Sequence, residues 1–276
     1  MTNPKKTNRQ KEEELRLLIQ KRRRLLTTAV TIVVAVIVIV AVLIFSGVFN
    51  SAFTGGSSNV VQSGTFIKIS NSDVSPSNGV NVYFLSWQGC PFGAADSWFI
   101  YNYFHTQDPS LSNSTIYKEM HFSDPEENIP GIAGSNHIPG LLFNNFSYTL
   151  SGINYHFHVI YVYGEYLLSH GPSEVSQGSS VLKANFPSSV SSLFLKYETQ
   201  YPTAGLKGQA IANYAGHLTS SLIITGPSGT YYAEGELDNP SPIVNIQPGV
   251  LINELSQYSS ITTASSELGT AINSVI

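Results

Sequence analysis

The amino-acid sequence predicts an α/β domain, with a mixed sheet and flanking helices, behind a single N-terminal transmembrane helix. Three observations support this fold class. An uncharged apolar run covers Leu25–Phe45. A short apolar run, Val82–Leu85, precedes a helical pattern that ends near His105, and a second strand pattern follows at Ile116–Phe122, in the order of a parallel crossover. Further along, two apolar runs flank Gly226–Gly229, which is typical of an antiparallel hairpin.

The N-terminal segment predicts a membrane anchor. Residues 1–24 form a basic leader with nine Lys or Arg and three Glu, and the 21 residues that follow, 25–45, carry no charge. At about 1.5 Å per residue this run spans about 31 Å, which matches the hydrocarbon core of a bilayer. The basic cluster Lys21–Arg24 next to it predicts a cytoplasmic N-terminus and an extracytoplasmic remainder.

An uncleaved signal-anchor in the cell membrane is favoured over a cleaved signal peptide, whose apolar core is usually only about 7–15 residues long. Residues 46–64 are rich in Gly, Ser and Asn, so they predict a flexible linker that separates the domain from the membrane.

The charge distribution excludes one broad class of function. After Arg24 the chain holds only five Lys, no Arg and fifteen acidic residues. A nucleic-acid-binding domain needs clustered basic side chains to contact phosphates. We therefore expect no nucleic-acid partner.

The stretch around Cys90 predicts a strand, a tight turn and a helix. Pro91 suits the first position of the helix, which places Cys90 at its N-cap. The helical periodicity puts Phe92, Phe99 and their apolar neighbours on one face and Asp96 on another. The unpaired N–H groups and the positive dipole end at this position favour a thiolate.

This arrangement resembles the thioredoxin-like fold, in which a strand ends at a cysteine that caps the next helix and a proline often follows. The resemblance is incomplete, because Gly93 stands where a dithiol oxidoreductase has its second cysteine, and Cys90 is the only cysteine in the chain. The fold also implies a cis-proline before its third core strand. Pro139 is one placement, but the hairpin near Gly226 is the better core pair and has no proline before it.

The longer phrase Val82–Trp98, with Ile116–Asp124 and Ile138–Phe143, is similar to an uncharacterised archaeal family of membrane-anchored proteins. That family is classed as a domain of unknown function and is thought to be thioredoxin-like. The resemblance covers residues 64 to 260 and implies an architecture, whereas the family's activity is not established.

The remaining elements complete a thioredoxin-like domain over residues 65–258. Residues 123–153 are predicted to be rich in loops. The other predictions are a strand at Thr65–Ser70, a half-buried strand at Tyr155–Tyr163, a helix at Ser188–Tyr201, the hairpin strands Leu222–Thr225 and Thr230–Ala233, a helix at Pro248–Tyr258 with Val250, Leu251 and Leu255 inward, and a C-terminal tail, 259–276, made of a Ser/Thr-rich linker and a frayed amphipathic helix.

Cys90 is the candidate catalytic residue, as a monothiol nucleophile or a site of mixed-disulfide formation with a partner protein, and Trp87 would shield it. The alternative is a small, semi-buried residue in a degenerate active-site turn, since free cysteines are among the most buried residues. Without a resolving thiol the protein has no internal disulfide cycle.

His156 and His158 are the candidate metal ligands. Residues i and i+2 of a strand share a face, so both imidazoles could bind one ion, with His121 or His137 as a third ligand. Two histidines without an assured third ligand are more often polar surface residues.

Asn113 and Asn145 each begin an Asn-x-Ser/Thr acceptor for N-glycosylation, which requires an extracytoplasmic domain. The chain contains no P-loop and no dinucleotide-binding fingerprint, and no cofactor is predicted. The sequence therefore predicts a membrane-anchored extracytoplasmic protein with possible monothiol chemistry at Cys90. A non-catalytic surface module that binds a partner protein, a glycan or a metal is the alternative.

Overall fold

Two β-sheets with flanking helices make up the part of the chain that the computed structural model describes, residues 60–127, 137–167 and 169–276. The predicted mixed α/β architecture is confirmed. The predicted leader and transmembrane helix lie outside the described residues, as does the predicted linker up to residue 59. Within the described ranges, no helix is both long and apolar enough to cross a bilayer.

The described elements have the following bounds. The strands are β1 (Ile67–Ser70), β2 (Val80–Ser86), β3 (Tyr117–Phe122), β4 (Pro139–Phe143), β5 (Phe146–Leu150), β6 (Ile153–Tyr161), β7 (Ser221–Gly226) and β8 (Gly229–Glu234). The α-helices are α1 (Pro91–Gln107), α2 (Asn113–Ile116), α3 (Pro172–Asn185), α4 (Ser188–Thr199), α5 (Ile211–Ala215), α6 (Pro248–Leu251) and α7 (Ser259–Asn273).

The main sheet has six strands in the order β1-β8-β7-β2-β6-β5. Strand β2 pairs in parallel with β6, where Val82 lies opposite Phe157, and antiparallel with β7, where Val82 lies opposite Ile224. Strands β7 and β8 form the hairpin that the sequence predicted. No peptide bond among the described residues is cis, including the bond before Pro139.

Strand β2 is buried on both faces of the sheet. Because successive side chains of a strand point to opposite faces, Val82 and Phe84 join the apolar cluster that contains α1 and α7. Tyr83 and Leu85 join the cluster that contains α3 and α4. This double coverage explains why the segment is apolar throughout and does not alternate.

Helix α1 is buried almost all round, whereas the sequence predicted a single packing face. Asp96, which the helical periodicity places away from the apolar face, and its neighbour Ser97 are fully buried. Ser97 Oγ donates to Ala94 O at 2.6 Å and accepts from Leu141 N at 2.9 Å. These polar residues satisfy neighbouring backbone groups, so their polarity does not mark a solvent face.

The predicted parallel crossover from β2 through α1 to the next strand is wrong. Strand β3 instead pairs antiparallel with β4 in a separate two-stranded sheet, and the parallel partner of β2 is β6. Strand β3 carries Lys118, Glu119 and His121, which do not suit a position buried on both faces. The stretch predicted as loops also contains β4 and β5.

The C-terminal part differs from the prediction in two places. The helix predicted at Pro248–Tyr258 is broken into α6 and a 3₁₀ turn, and Val250 is 49% exposed while Leu251 and Leu255 are buried. Residues 259–273, predicted as a linker and frayed helix, form the regular helix α7.

Candidate functional site

Cys90 lies in the turn between the end of β2 and the start of α1, as predicted. It is the N-cap of α1 with an extended backbone, and Gly93 N donates to Cys90 Sγ at 3.3 Å. The turn before it is closed by Cys90 N, which donates to Trp87 O at 3.1 Å. The local sequence dictates this geometry, since Pro91 starts the helix and the short apolar strand ends at Ser86, four residues before Cys90.

Two distant segments cover the Cys90 turn. Asp124 N donates to Gly89 O at 2.8 Å, Gln88 N donates to Tyr163 O at 3.3 Å, and Leu167 N donates to Asp124 Oδ2 at 3.2 Å. Cys90 is consequently 1% exposed.

The environment of the thiol opposes ionisation. Burial raises the pKa of Cys90 to about 12, and the hydrogen bond from Gly93 to the sulfur offsets only part of this effect. The nearby Asp96 carboxyl contributes to this raised pKa. The expectation that the helix N-terminus favours a thiolate is therefore wrong for this structure, because desolvation is the larger contribution.

Trp87 packs in the same apolar cluster as Cys90 and is 1% exposed. Its ring forms a T-shaped pair with the His217 ring at a centroid distance of 5.7 Å, and its Nε1 has no hydrogen-bond partner in the described part of the chain. Burial lowers the pKa of His217. Trp87 and Cys90 thus share one buried cluster, and shielding of the thiol by the indole stays a prediction.

His156 and His158 share a face of β6, as the strand periodicity predicted. Their ring centroids are 6.2 Å apart. His156 Nδ1 lies 2.8 Å from Ser147 Oγ, and His158 Nε2 lies 3.2 Å from Asn81 Oδ1. Burial lowers the pKa of His158, and His156 adds to this shift.

The structure adds no third metal ligand to this pair: over the residues described, no group of three His, Cys, Asp or Glu side chains could hold a metal ion. His121, a suggested third ligand, lies on β3, where its Nδ1 is 2.9 Å from Phe122 O.

The two glycosylation acceptors, Asn113 and Asn145, are exposed. Asn113 begins α2, and its Oδ1 accepts from Tyr101 OH at 2.8 Å. Asn145 lies between β4 and β5, and its Oδ1 accepts from Val159 N at 2.7 Å. Both asparagines are exposed, so attachment stays a prediction that depends on the location of the domain.

Residues 65–274 match the family described as Domain of unknown function (DUF929). The chain belongs to this family. No curated protein and no solved structure matches it. The matched range extends past residue 258 and includes α7, in agreement with the position of that helix in the fold.

The DUF929 domain also contains a set of buried carboxyl groups that the sequence analysis missed. Glu198 on α4 is fully buried and accepts from Thr219 N at 3.1 Å and Ser221 Oγ at 2.7 Å. Glu234 at the end of β8 accepts from Tyr232 OH at 2.8 Å and from Thr203 Oγ1. Burial, with a smaller contribution from the carboxyl of Glu234, raises the pKa of Glu198 to about 8.

Two more acidic residues of the DUF929 domain are buried: Asp96 on α1, and Asp238 in the segment that follows β8. Asp96 accepts from Ser220 Oγ at 2.9 Å and from Leu237 N at 3.2 Å, and burial raises its pKa. Asp238 is 1% exposed, neither of its carboxyl oxygens has a hydrogen-bond partner among the described residues, and burial raises its pKa to about 7.

One sequence signal could have indicated these buried acids. The chain has no Arg after Arg24 and only five Lys there, too few to pair with fifteen acidic residues. Acidic side chains that fold into a core without cations must be stabilised by hydrogen bonds and by protonation.

Proposed function

We propose that this chain is a membrane-anchored, extracytoplasmic protein whose α/β domain has a thioredoxin-like fold and acts as a non-catalytic binding or scaffold module. The observation that carries the proposal is the burial of Cys90, which is 1% exposed with a pKa raised to about 12. The chain has no second cysteine. The domain therefore lacks both an accessible thiolate and an internal disulfide.

The order of elements supports the thioredoxin-like interpretation. A central strand, β2, ends at a cysteine that caps α1, and a proline follows the cysteine. The parallel partner β6 comes later in the chain, after an inserted segment that contains β3, β4 and β5. The antiparallel hairpin β7-β8 and the helix α7 then close the domain.

The membrane anchor and the extracytoplasmic location depend on the N-terminal sequence. The apolar run 25–45 follows directly after Lys21–Arg24, so the basic flank lies on the cytoplasmic side. Archaeal origin remains an implication of the resemblance. The partners of the protein are then the membrane and a ligand on the outer side.

A monothiol function at Cys90 is the second candidate, and one observation favours it. Cys90 Sγ lies at the N-terminus of a 17-residue helix, where Gly93 N donates to it. Mixed-disulfide formation with a partner protein would require the segments at Asp124 and Leu167 to move away from the turn.

The rate of Cys90 modification by a thiol reagent separates the two functions. Because Cys90 is the only cysteine, labelling of the full-length chain reports on this site alone. We expect the native protein at pH 7 to react at least about a hundredfold more slowly than the protein unfolded in guanidinium, since reaction requires local opening.

The matched control is a Cys90→Ala chain with Ser256→Cys, which moves the thiol to an exposed position. It should react at the same rate in native and unfolded protein. Rapid modification of native Cys90 at pH 7 or below would contradict the scaffold proposal and support the monothiol function.

Membrane topology is tested with a membrane-impermeant maleimide on intact cells. In the Cys90→Ala background, we expect labelling of Ser256→Cys in the domain and protection of Thr7→Cys in the leader. The reverse pattern would place the domain in the cytoplasm and refute the extracytoplasmic location.

A further inference from the structure

A groove of about 350 Å³ runs between helices α1 and α7, on the side of the molecule away from α3 and α4. The two helices approach closely at Gly269, where a Cβ atom would lie 3.0 Å from Tyr103 Cε2. The Tyr103 ring and the bare glycine backbone therefore form the apolar part of the groove, and polar side chains form the rest.

The lining of the groove is polar but carries no charged side chain. Three amide side chains, Asn102, Gln107 and Asn273, line it and make no side-chain hydrogen bond to another described residue. Hydroxyl groups complete the lining, among them Ser266 and Thr270. Thr270 Oγ1 donates to Ser266 O at 3.0 Å and keeps its lone pairs free to accept.

This chemistry selects a class of ligand. Without a Lys, an Arg or a helix N-terminus in the lining, the groove has nothing to neutralise a phosphate or carboxylate. A largely polar lining gains little from an apolar ligand, because its amides and hydroxyls would lose water without replacement. Amides and hydroxyls offer both donors and acceptors, which matches a neutral ligand with several hydroxyl groups.

The uncharged lining is in keeping with the composition of the chain, of which only 12% is charged. The groove is formed by ten residues from two different helices and includes no charged residue. Its volume is at the lower end of the range of ligand pockets, about 300–1,000 Å³.

We propose that this groove binds a neutral carbohydrate of one or two sugar rings. The amides of Asn102, Gln107 and Asn273 contact the sugar hydroxyls, and the Tyr103 edge with Gly269 contacts the apolar face of a ring. The proposal rests on the binding-module function proposed above and specifies its ligand class.

Saturation-transfer NMR on the full-length chain in nanodiscs tests the groove. The probes are maltose and methyl α-mannopyranoside as neutral saccharides, with glucuronic acid and glucose 6-phosphate as charged counterparts. We expect saturation transfer to at least one neutral probe, with a Kd on the order of millimolar, and none to the charged probes.

Two substitutions locate the binding. Ser266→Trp fills the groove from an exposed position and should abolish the transfer, and Asn273→Ala should weaken it about tenfold, as expected for one lost hydrogen-bonding group. The matched controls Ser256→Trp and Gln257→Ala lie on exposed positions outside the groove and should leave the transfer unchanged.

Three outcomes would overturn the proposal. The first is no transfer to either neutral saccharide at about 20 mM of probe, a concentration about tenfold above the expected Kd. The others are transfer that persists in Ser266→Trp and stronger transfer to the charged probes. Self-association that Ser266→Trp abolishes, without saccharide transfer, would assign the groove to a second copy of the chain. The Cys90 labelling experiment does not depend on this groove. A failure to bind saccharides would therefore refute the ligand class without refuting the scaffold proposal.

Discussion

At the scale of single residues, Gly93 shows why the turn accommodates one cysteine and not two. A Cβ atom at Gly93 would overlap Ser86 Oγ and lie 3.3 Å from the Cβ of Cys90. The backbone of Gly93 also donates the hydrogen bond that Cys90 Sγ accepts. The space that a side chain at position 93 would need is thus taken by Ser86 of β2.

Introducing a second cysteine with Gly93→Cys should therefore destabilise the domain. We expect a loss of about 1–3 kcal/mol in the free energy of unfolding, because the new side chain is forced against Ser86. Urea unfolding under reducing conditions measures this loss. The matched control is Gly249→Ala, where a Cβ meets nothing within 4 Å and the residue lies in a helix, so stability should be unchanged or slightly higher.

A Gly93→Cys variant as stable as the wild type, with a readily formed disulfide to Cys90, would contradict this account of the turn. It would indicate that Ser86 moves aside at little cost.

At the scale of elements, α7 shows how packing can stabilise a helix that its own residues favour only weakly. Its sequence is rich in Ser and Thr, which have modest helix propensity. Ile261, Leu268 and Ile272 are nevertheless fully buried in the cluster that contains α1. The apolar side chains, four or seven residues apart, supply the free energy that the polar ones do not.

Leu268→Ala should cost about 2–5 kcal/mol in the free energy of unfolding, because it leaves a cavity between α7 and α1. Thr263→Ala, at an exposed position of the same helix, should change stability by less than about 0.5 kcal/mol. Thermal or urea unfolding compares the two. Equal, small effects would mean that α7 contributes little to the core.

At the scale of the whole molecule, the buried carboxyl groups couple stability to pH. Burial raises the pKa of Glu198 to about 8, above its ordinary value of 4.5, and Asp238 and Asp96 are raised as well. The folded state therefore binds more protons than the unfolded state above pH 4.5. The stability that these groups contribute is fully present below that pH and is lost as the pH rises through 8.

The domain should therefore unfold at lower urea concentration at pH 8 than at pH 6.5. One such group contributes a decrease of up to about 1.4 kcal/mol per pH unit. The window begins at the ordinary pKa of histidine, 6.5, so the lowered pKa values of His121, His158 and His217, which act in the opposite direction, matter only at its lower end.

Glu198→Gln should flatten this pH dependence, since the amide keeps the shape of the side chain without its ionisation. The exposed Glu126→Gln serves as the matched control and should leave the slope unchanged. A stability that does not fall between pH 6.5 and pH 8 would contradict this account, because buried acids already ionised in the folded state release no protons over this window.

The sequence by itself determined the local parts of this protein. The strand β2, the cap at Cys90, the proline start of α1 and the β7-β8 hairpin were all predicted correctly, because each depends on residues within a few positions of one another. Membership of the DUF929 family agrees with the family resemblance in the same stretch. The basic leader and the apolar run 25–45 are equally local signals.

The tertiary structure alone decided the properties that depend on distant segments. Cys90 is buried because Asp124 and Leu167, which are distant from it in sequence, hydrogen-bond to each other, and Asp124 also hydrogen-bonds to Gly89 in the Cys90 turn. Desolvation of the thiol then outweighs the effect of the helix dipole on its pKa. The pairing of β2 with β6, and the burial of Glu198 without a cation, likewise depend on long-range packing. Periodicity and capping report the neighbours of a residue in sequence, whereas solvation and pairing are set by its neighbours in space.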